Sequence, residues 1–218
     1  MGKFNIAIDG PSGVGKSTIA NLLAQHYHMT HLDTGAMYRC VAYYFKNNQI
    51  DLNDSESVQN ALDSIQIAFD QDRVYLNQED VTNSIRLNEI SMAASKISKL
   101  EAVRKKLVFL QQEIAKNKGY ILDGRDICTV VLPDAEVKIY MDASSKARAQ
   151  RRFDEYVQKG IDADYETIFQ DIVARDYHDM HRKNSPLRIA EDAVVVDTSD
   201  LTIEEVLNKI EDIIEDIV

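Results

Sequence analysis

Cysteine, proline and glycine are scarce in this sequence, and long apolar runs are missing. Its 218 residues include 2 Cys, 3 Pro and 8 Gly. Because Cys40 and Cys128 lie far apart and form no Cys-x-x-Cys pair, the sequence indicates neither a disulfide framework nor a zinc site, and both are expected to be small buried side chains. No apolar run approaches the roughly 20 residues that a membrane-spanning helix needs. The composition, 44% hydrophobic and 28% charged, is typical of an ordinary soluble globular protein.

An excess of positive charge is missing as well. The formal net charge is −11, which argues against a surface that binds nucleic acid, because such binding depends on clustered Lys and Arg. A signal peptide would need an apolar stretch behind a basic end, but residues 4–8 are few, include Asn5 and are followed by Asp9. We therefore expect no nucleic-acid partner, no membrane association and a cytosolic location.

Histidines are few, and their spacing does not indicate a metal site. His26 and His28 form one close pair and His178 and His181 another, but no third ligand stands at a suitable spacing from either pair. We expect no metal held by these histidines.

Short apolar runs alternate with helical patterns along most of the chain. Residues 4–8 enter a glycine-rich turn, and a helix is predicted both directly after that turn and over residues 35–46. The runs at residues 120–122, 137–141 and 193–196 each end at an aspartate and are short enough for buried parallel strands. This alternation predicts βαβ units and a parallel sheet covered by helices. The length favours one compact domain with excursions.

One segment does not fit that alternation. Residues 65–76 alternate apolar and polar side chains around a polar turn at residues 70–72, which predicts an antiparallel hairpin. Helical spacing resumes over residues 90–97 and 100–114. We therefore interpret the hairpin as part of an insertion in the parallel fold.

A closing helix is predicted at the end of the sequence. Thr202 and Glu205 have the spacing of a capping box, in which the two residues satisfy each other's backbone N–H groups. The predicted buried stripe consists of Val206, Ile210, Ile213 or Ile214, and Ile217.

The glycine-rich turn matches the phosphate-loop pattern G-x-x-x-x-G-K-[ST] and lies between a predicted strand and a predicted helix, as the mechanism requires. Backbone N–H groups of such a loop converge on phosphate oxygens, and the positive end of the next helix adds to the field. Lys16 can reach the β and γ phosphates, and the Ser17 hydroxyl can complete the coordination of Mg²⁺. The predicted phosphate-binding residues are Gly10, Pro11, Ser12, Gly13, Val14, Gly15, Lys16, Ser17 and Thr18.

This loop predicts binding of a nucleoside triphosphate but leaves the phosphoryl acceptor open. A GTPase would be expected to carry Asn-Lys-x-Asp, and neither residues 117–120 nor residues 208–211 supply the aspartate. The Ser-Gly-Gly signature of transport ATPases is absent, and the net charge makes a helicase a poor candidate.

Arginines cluster in two stretches. Arg148, Arg151 and Arg152 share one face of a helix predicted within residues 145–159. Arg175, Asp179 and Arg182 share a face of a second helix, which Pro186 is predicted to end. A solvated face with intrahelical ion pairs is one interpretation. The other is a set of cations that close over two polyphosphates, and a strongly acidic chain with a phosphate loop favours it.

With these features the sequence resembles the nucleoside monophosphate kinases, and most closely the bacterial cytidylate kinases, over almost its full length. The first carrying segment, residues 9–18, is common to many families, but the whole set in this order is highly specific. The segments are Asp9-Gly10-Pro11-Ser12-Gly13-Val14-Gly15-Lys16-Ser17-Thr18, Leu32-Asp33-Thr34-Gly35-Ala36-Met37-Tyr38-Arg39, Ala93-Ala94-Ser95, Asp123-Gly124-Arg125-Asp126, Lys138-Ile139-Tyr140-Met141-Asp142-Ala143-Ser144 and residues 175–182.

The resemblance implies an α/β fold of the three-layer P-loop type. Its parts are a core with a five-stranded parallel sheet, a monophosphate-binding insertion with a small antiparallel sheet, and a helical lid. The expected core comprises residues 1–60, 100–143 and 187–218, the insertion residues 61–99 and the lid residues 144–186. Relatives often carry Gly at the position of Cys128, which puts the local backbone there in question.

The resemblance also implies roles for individual residues. Ser95, Arg104 and Asp126 resemble the cytosine readers, Arg39 and Arg125 the clamps on the monophosphate, and Arg175 with Asp179 the ribose-binding pair. Thr34 stands where many relatives have Ser, keeps the hydroxyl and is implied to bind CMP, and Arg182 resembles a residue that binds the acceptor nucleotide. The lid arginines would be Arg148, Arg151 and Arg152. The catalytic set implied is Lys16, Arg125, Arg151, Arg152 and Arg182.

Several of these residues have plainer alternatives. Ser95 could be a helix-surface hydroxyl, Arg104 a solvated partner of Glu101, and Asp33 a helix cap as readily as a site carboxylate. Asp123, which ends an apolar run, could support Mg²⁺ through water or could order the loop.

The predicted activity is transfer of a phosphoryl group from MgATP to CMP or dCMP by a monomeric enzyme. Two alternatives stay open: a kinase of another small acceptor such as UMP, AMP or shikimate, and a non-catalytic nucleotide-binding module.

Overall fold

The computed structural model describes residues 3–70 and 73–218. These residues form two compact units. One comprises Ala115–Val218 together with the described residues up to Leu32, and the other is Asp33–Ile114.

Strands and helices alternate as the sequence predicts. The strands are β1 (Ile6–Asp9), β2 (Thr30–Asp33), β3 (Ile67–Asp70), β4 (Arg73–Leu76), β5 (Glu79–Asp80), β6 (Tyr120–Gly124), β7 (Val137–Asp142) and β8 (Val194–Asp197). The helices are α1 (Lys16–Tyr27), α2 (Thr34–Asn47), α3 (Ser55–Ser64), α4 (Asn88–Ile97), α5 (Glu101–Ala115), α6 (Ser145–Gln158), α7 (Tyr165–His181) and α8 (Ile203–Ile217). A 3-10 turn lies at Ser84–Arg86 and a π-helical turn at Ile127–Val131. Each helix described is too short or too polar to cross a bilayer.

The five-stranded parallel sheet of the α/β prediction is confirmed, with the strand order β2-β6-β1-β7-β8. Ile6, Ile8, Ile121 and Ile139 on its inner strands are fully buried, which explains why these strands appear as continuous apolar runs. From β1 the chain continues to β2 at one edge of the sheet, and from β6 it continues to β7 and β8 toward the other edge. The direction of winding therefore changes at β1. Open α/β sheets bind ligands at the carboxyl end of such a strand.

The predicted capping box at the start of α8 is confirmed. Thr202 Oγ1 accepts from the Glu205 N–H at 3.2 Å, and Glu205 Oε2 accepts from the Thr202 N–H at 2.8 Å. Val206, Ile210 and Ile214 are buried against the sheet core. The prediction for Ile217 is wrong, because this residue is 45% exposed. It occupies the last position of α8, where the packed stripe has already ended.

The predicted hairpin is confirmed within the second unit as an antiparallel pair of β3 and β4. The predicted turn at residues 70–72 includes Gln71 and Asp72, which lie outside the described residues. A third strand, the two-residue β5, extends this sheet. Asn77 and Gln78 between β4 and β5 have φ of 49° and 72°, and two successive positive φ values are typical of a tight hairpin turn.

The helix that carries Arg175 and Asp179 ends earlier than the sequence predicts. Pro186 does not end it, because α7 stops at His181 and Arg182 already has extended backbone angles. Arg182 Nε donates to the Ser185 carbonyl at 2.6 Å, and Ser185 has a positive φ of 49°. The backbone therefore turns away from the helix before the proline, and Arg182 lies outside the helical face on which the spacing placed it.

Candidate active site

The phosphate loop follows β1 directly and takes backbone conformations that glycine favours. Gly13 and Gly15 have φ of 81° and 92°, in the left-handed region where a side chain is strained. A Cβ on Gly10 would lie 2.0 Å from the backbone oxygen of Met141, so this position has no room for a side chain. Gly15 is the residue that precedes α1, which directs the positive helix end at the loop.

Lys16 lies inside the loop and is held by the loop's own backbone. Its Nζ donates to the Gly10 carbonyl at 2.8 Å and to the Pro11 carbonyl at 2.7 Å, and the residue is 6% exposed. The pKa of Lys16 is lowered to about 7, mainly by burial and also by the nearby Arg125 charge, while the carboxylates of Asp123, Asp9 and Asp179 act in the opposite direction. A bound phosphate would supply the counter-charge that a buried ammonium group lacks.

Ser17 begins a chain of hydrogen bonds that runs across three elements. Its hydroxyl donates to Asp123 Oδ2 at 2.9 Å, and the other carboxylate oxygen lies 2.7 Å from His31 Nε2. His31 Nδ1 in turn lies 2.7 Å from Asn21 Oδ1 on α1. Burial of Asp123 raises its pKa, but its neighbours outweigh this effect and hold the pKa below its ordinary value. They act through the hydrogen bond and charge of His31, the charge of Lys16 and the hydrogen bond of Ser17. The carboxylate is therefore ionised at neutral pH.

His31 was missed by the sequence analysis. The local sequence shows only that His31 lies two residues before Asp33 on the four-residue strand β2, so that both side chains are on one face of the strand. The pairing of β2 with β6 in the sheet is what brings His31 to Asp123, and the sequence does not reveal that pairing.

Asp9 anchors the segment that follows the Asp-Gly-Arg-Asp motif. Its two carboxylate oxygens accept from the Ile127 and Cys128 N–H groups, each at 2.8 Å. Burial raises the pKa of Asp9 to about 6, against the effect of these two donors and with a small contribution from the Asp126 charge. Cys128 lies in the π-helical turn without a positive φ, so its departure from the Gly of many relatives leaves the backbone unstrained.

Two of the predicted acceptor-site arginines are paired with predicted acceptor-site carboxylates. Arg125 Nε donates to Asp179 Oδ2 at 2.8 Å, and Arg182 Nη2 lies 3.5 Å from Asp126 Oδ1. The pKa of Asp179 is lowered, because the charges of Arg125, Arg175 and Arg182 outweigh its burial. The structure thus brings together residues of the motif after β6 with residues at the end of α7.

Arg148 is buried and joins several parts of its unit. Its guanidinium pairs with both carboxylate oxygens of Asp176, at 2.5 and 3.1 Å, and donates to the backbone carbonyls of Ser12 at 3.0 Å and Ala143 at 2.9 Å. Arg148 is 3% exposed. Its contacts therefore connect α6 and α7 to the phosphate loop.

Arg151 and Arg152 lie on the same helix in different surroundings. Arg151 donates to the Thr198 backbone carbonyl and, at 3.3 Å, to the Thr198 hydroxyl. The Arg152 side chain is 41% exposed, lies 4.0 Å from Glu155 and stacks over the Tyr156 ring. The lid role of all three arginines stays a prediction.

Thr34 and Arg39 lie on α2 in the second unit. Asp33 caps this helix by accepting from the Ala36 N–H at 2.9 Å, and its other oxygen accepts from Arg39 Nη2 at 2.7 Å. Asp33 is therefore a helix cap, and the same carboxylate is the partner of Arg39, a predicted site residue. Its role as a site carboxylate stays a prediction. Thr34 is buried at the first position of α2.

Ser95 and Arg104 belong to α4 and α5 of the same unit. Ser95 is half-buried, and its carbonyl accepts from the Ser98 hydroxyl at 2.9 Å. Arg104 is only 5% exposed, and its guanidinium carbon lies 5.9 Å from the centre of the Tyr38 ring. A solvated role for Arg104 is therefore wrong, and its part in reading cytosine stays a prediction.

Oxygen ligands suited to Mg²⁺ lie beside the phosphate loop. Ser17 Oγ and Asp123 Oδ2 are 2.9 Å apart. Across residues 3–70 and 73–218, no three His, Cys, Asp or Glu side chains form a cluster that would hold a metal on their own. Mg²⁺ is usually bound by one or two protein oxygens with substrate phosphates and water, so the Ser17 and Asp123 pair fits this ion.

A central parallel strand, a glycine loop with a buried lysine and a helix that starts at the loop define a P-loop nucleotide-binding protein. A family model described as cytidylate kinase matches residues 6–216. The cytidylate kinase of Caldicellulosiruptor saccharolyticus is 50% identical over 214 residues, which cover 96% of this chain and 95% of the relative. The cytidylate kinase of Streptococcus pneumoniae is 48% identical over 215 residues, with 96% of each chain covered. The chain belongs to the cytidylate kinase family.

Solved structures of more distant proteins share the fold. An uncharacterized protein from Eubacterium ventriosum superimposes with a TM-score of 0.55 at 12% identity, with 99% of each chain covered. The shikimate kinase of Bacteroides thetaiotaomicron superimposes with a TM-score of 0.52 at 11% identity, with 98% of this chain and 99% of that chain covered. At such identities these likenesses support the fold alone.

Proposed function

We propose that this protein transfers the γ-phosphoryl group of MgATP to CMP or dCMP, forming ADP and CDP or dCDP. The observation that carries the proposal is the 50% identity to a cytidylate kinase over 96% of the chain, in a protein whose phosphate loop is already formed around Lys16. An oxygen of the acceptor phosphate attacks the γ-phosphorus in line, and the bond to the β–γ bridging oxygen breaks. Positioning and charge stabilisation account for most of the catalysis in such a transfer.

On the donor side, residues 10–18 bind the ATP phosphates through backbone N–H groups. Lys16 neutralises charge on the transferring group, and the Ser17 hydroxyl would bind Mg²⁺ with support from Asp123. Mg²⁺ supplies charge neutralisation to the β and γ phosphates when it is bound. Arg148 supports this side by holding the Ser12 carbonyl and α7 together.

On the acceptor side, arginines replace water around the monophosphate. Arg39 and Arg125 are proposed as the phosphate clamps, with Arg182 as a further contact to the acceptor. Arg39 Nε is buried and has no hydrogen-bond acceptor among the described residues, which supports a role in binding an anion. Arg175 and Asp179 are proposed to bind the ribose. Arg151 and Arg152 add positive charge when the lid closes, and closure excludes water.

Selection of cytosine is proposed for Ser95, Arg104 and Asp126. Cytosine presents an amino donor at N4 and acceptors at N3 and O2, so a carboxylate and a hydroxyl can accept while a guanidinium donates. Uracil places a carbonyl where the amino group was, which sets an acceptor against Asp126. Buried polar groups left unpaired in this way cost about 1–3 kcal/mol each.

A coupled assay of ADP release tests the activity against its alternatives. With MgATP as donor, CMP and dCMP are expected to be the preferred acceptors, with slower turnover of UMP and little with AMP, GMP or shikimate. Lys16→Met is the matched inactive control and should lower kcat by about 100-fold or more, because one preorganised donor to the transferring group is lost. If none of the monophosphates is phosphorylated, the non-catalytic nucleotide-binding module is favoured. If an acceptor other than CMP or dCMP is preferred, a kinase of that acceptor is favoured.

Asp126→Ala tests the reading of cytosine. The variant is expected to raise KM for CMP about tenfold and to narrow the preference for CMP over UMP, because a buried acceptor for the N4 amino group is removed. The affinity for ATP, measured by calorimetry, should stay within about twofold since this residue has no part in the phosphate loop. Loss of ATP binding would instead assign Asp126 to the structural core.

We also propose that the enzyme acts as a monomer in the cytosol without a nucleic-acid partner. The net charge of −11 supports the last point. A lidded kinase needs no second copy to complete its site. Light scattering at working concentration should give a mass near the 24.7 kDa of one chain.

A further inference from the structure

His31 links the metal-binding end of the proposed site to α1. The residue lies on β2, the edge strand beside β6, and its side chain is 9% exposed. Nε2 lies 2.7 Å from Asp123 Oδ1, and Nδ1 lies 2.7 Å from Asn21 Oδ1. The ring is therefore fixed at both nitrogens, between a buried carboxylate and an amide on the surface of α1.

These contacts restrict the orientation of Asp123. An ionised carboxylate has no proton to donate, so the hydrogen bond runs from His31 Nε2–H to Oδ1. The second carboxylate oxygen accepts from the Ser17 hydroxyl at 2.9 Å. Because His31 and Ser17 donate to different oxygens, rotation of the carboxylate about its own axis would break both of these hydrogen bonds. The proton of Ser17 is directed at Asp123, which leaves the lone pairs of Oγ for a cation.

We propose that His31 is a positioning residue that holds Asp123, and through it the Ser17 hydroxyl, in the orientation needed to bind the metal of the metal–nucleotide complex. The inference deepens the proposed function, because it rests on the assignment of Ser17 and Asp123 to Mg²⁺. Loss of a residue that hydrogen-bonds to a metal ligand and orients it commonly lowers metal affinity or activity 10- to 100-fold. His31 does not touch the nucleotide in this role, so its effect should depend on the metal.

Two amide substitutions separate this role from simple packing. In Gln the side-chain nitrogen can occupy the place of His Nε2, so His31→Gln keeps a donor for Asp123. In Asn the nitrogen can reach only the place of Nδ1, so His31→Asn keeps a partner for Asn21 and loses the donor to Asp123. Both variants remove the ring, and a role limited to filling space predicts similar losses for the two.

Calorimetry of ATP binding, with and without Mg²⁺, provides a measurement that does not depend on turnover. His31→Asn is expected to weaken binding of MgATP and to raise the Mg²⁺ concentration for half-maximal activity, each about tenfold. His31→Gln should stay within about twofold of the wild type for both quantities. Affinity for metal-free ATP and KM for CMP should be unchanged in both variants. Equal losses in the two variants, or an equal loss of metal-free ATP binding, would overturn the proposal.

A third variant covers the case in which His31→Asn does not fold. Asn21 is exposed on α1, and Asn21→Ala removes only the distal support of the ring. It is expected to raise the Mg²⁺ requirement about threefold, as loss of one hydrogen bond predicts. If His31→Asn does not fold, a Mg²⁺ requirement of Asn21→Ala equal to that of the wild type would overturn the proposal.

The kinase activity and the role of His31 can fail independently of each other. If the wild type phosphorylates no monophosphate, the proposed kinase activity fails while the metal-dependent difference in ATP binding still decides the role of His31. If the wild type is active on CMP and the variants show no metal-dependent difference, the kinase activity stands and the His31 proposal fails.

Discussion

The phosphate loop and the arginine-bearing segments are held in place by different kinds of contact. In the loop, Lys16 bonds to backbone carbonyls that lie five and six residues away in the sequence. Three of the arginines also donate to backbone carbonyls, but each pairs in addition with a distant side-chain carboxylate, and the paired residues lie 28 positions apart for Arg148, 54 for Arg125 and 56 for Arg182. The loop is thus a local structure, whereas the arginine set depends on the tertiary fold.

The two regions differ in how ready they are to bind a ligand. The N–H groups of a phosphate loop face the ligand while its carbonyls hold the lysine, so ATP finds a site that is largely formed. Arg125 and Arg182 are paired with Asp179 and Asp126, so in the proposed acceptor site a substrate phosphate would have to compete with these carboxylates. Such an exchange of partners fits a site that closes only when both substrates are present.

The largest effect is expected when the loop itself is broken. In Gly10→Ala the new Cβ would lie 2.0 Å from the Met141 backbone oxygen, so the loop or β7 must shift. Steric overlap and backbone strain together should lower the free energy of unfolding by about 4 kcal/mol and abolish ATP binding. Urea denaturation and calorimetry measure the two effects.

Gly119→Ala is the matched control for that variant. Gly119 has a positive φ of 90° but open space around the position of a Cβ, so only backbone strain is added. We expect a loss of about 1–2 kcal/mol and normal ATP binding. If the two variants lost equal stability, the close approach at Gly10 would have no special importance.

An intermediate effect is expected at the buried ion pair of Arg148 with Asp176. Arg152, which is exposed on the same helix, provides the comparison. Arg148→Ala leaves the buried Asp176 carboxylate without its bidentate partner and should cost about 3 kcal/mol of stability. Arg152 is 41% exposed, and Arg152→Ala should change stability by less than about 0.5 kcal/mol while it lowers kcat if the residue serves the lid. Urea denaturation and steady-state kinetics on both variants provide the test. Equal stability losses would contradict the conclusion that the buried ion pair of Arg148 and Asp176 stabilises the fold.

The parts of the fold that sequence patterns predicted are those with local causes. The strand, glycine loop and helix around Lys16, and the capping box of Thr202 and Glu205, each depend on residues within a few positions of one another. The hairpin of β3 and β4 was recognised from the alternation of large apolar side chains with smaller or polar ones, which is also a local pattern. The resemblance to a kinase family then added the arginines and carboxylates as a set of residues with roles.

The parts that could not be predicted depend on which distant elements meet. His31 gains its significance only because β2 pairs with β6, and Asp9 anchors Ile127 and Cys128 from 118 and 119 positions away. The end of α7 was misplaced for a related reason. The Leu187 N–H donates to the Asp179 carbonyl at 2.8 Å, and this return of the chain stops the helix before Pro186 exerts any effect.

The effect that is smallest per unit of change concerns the pH dependence of stability, at the Asp9 carboxylate, which lies beside the phosphate loop and bonds to the segment after Arg125. Because burial raises the pKa of Asp9 from 3.8 to about 6, the folded protein binds a proton more tightly at this group than the unfolded chain does. Stability must therefore fall as the pH rises from about 4 to about 6, with a contribution from Asp9 that approaches 1.4 kcal/mol per pH unit. Asp9→Asn should remove this slope in urea denaturation, although the amide can accept from only one of the two N–H groups with its oxygen. Asp197→Asn is the control of opposite sign, because hydrogen bonds from Ser199 lower the pKa of this exposed carboxylate and its contribution is lost as the pH falls. A slope that is the same in the wild type and in Asp9→Asn would show that the proton is bound elsewhere, and Asp9 would then be a charged anchor throughout this range.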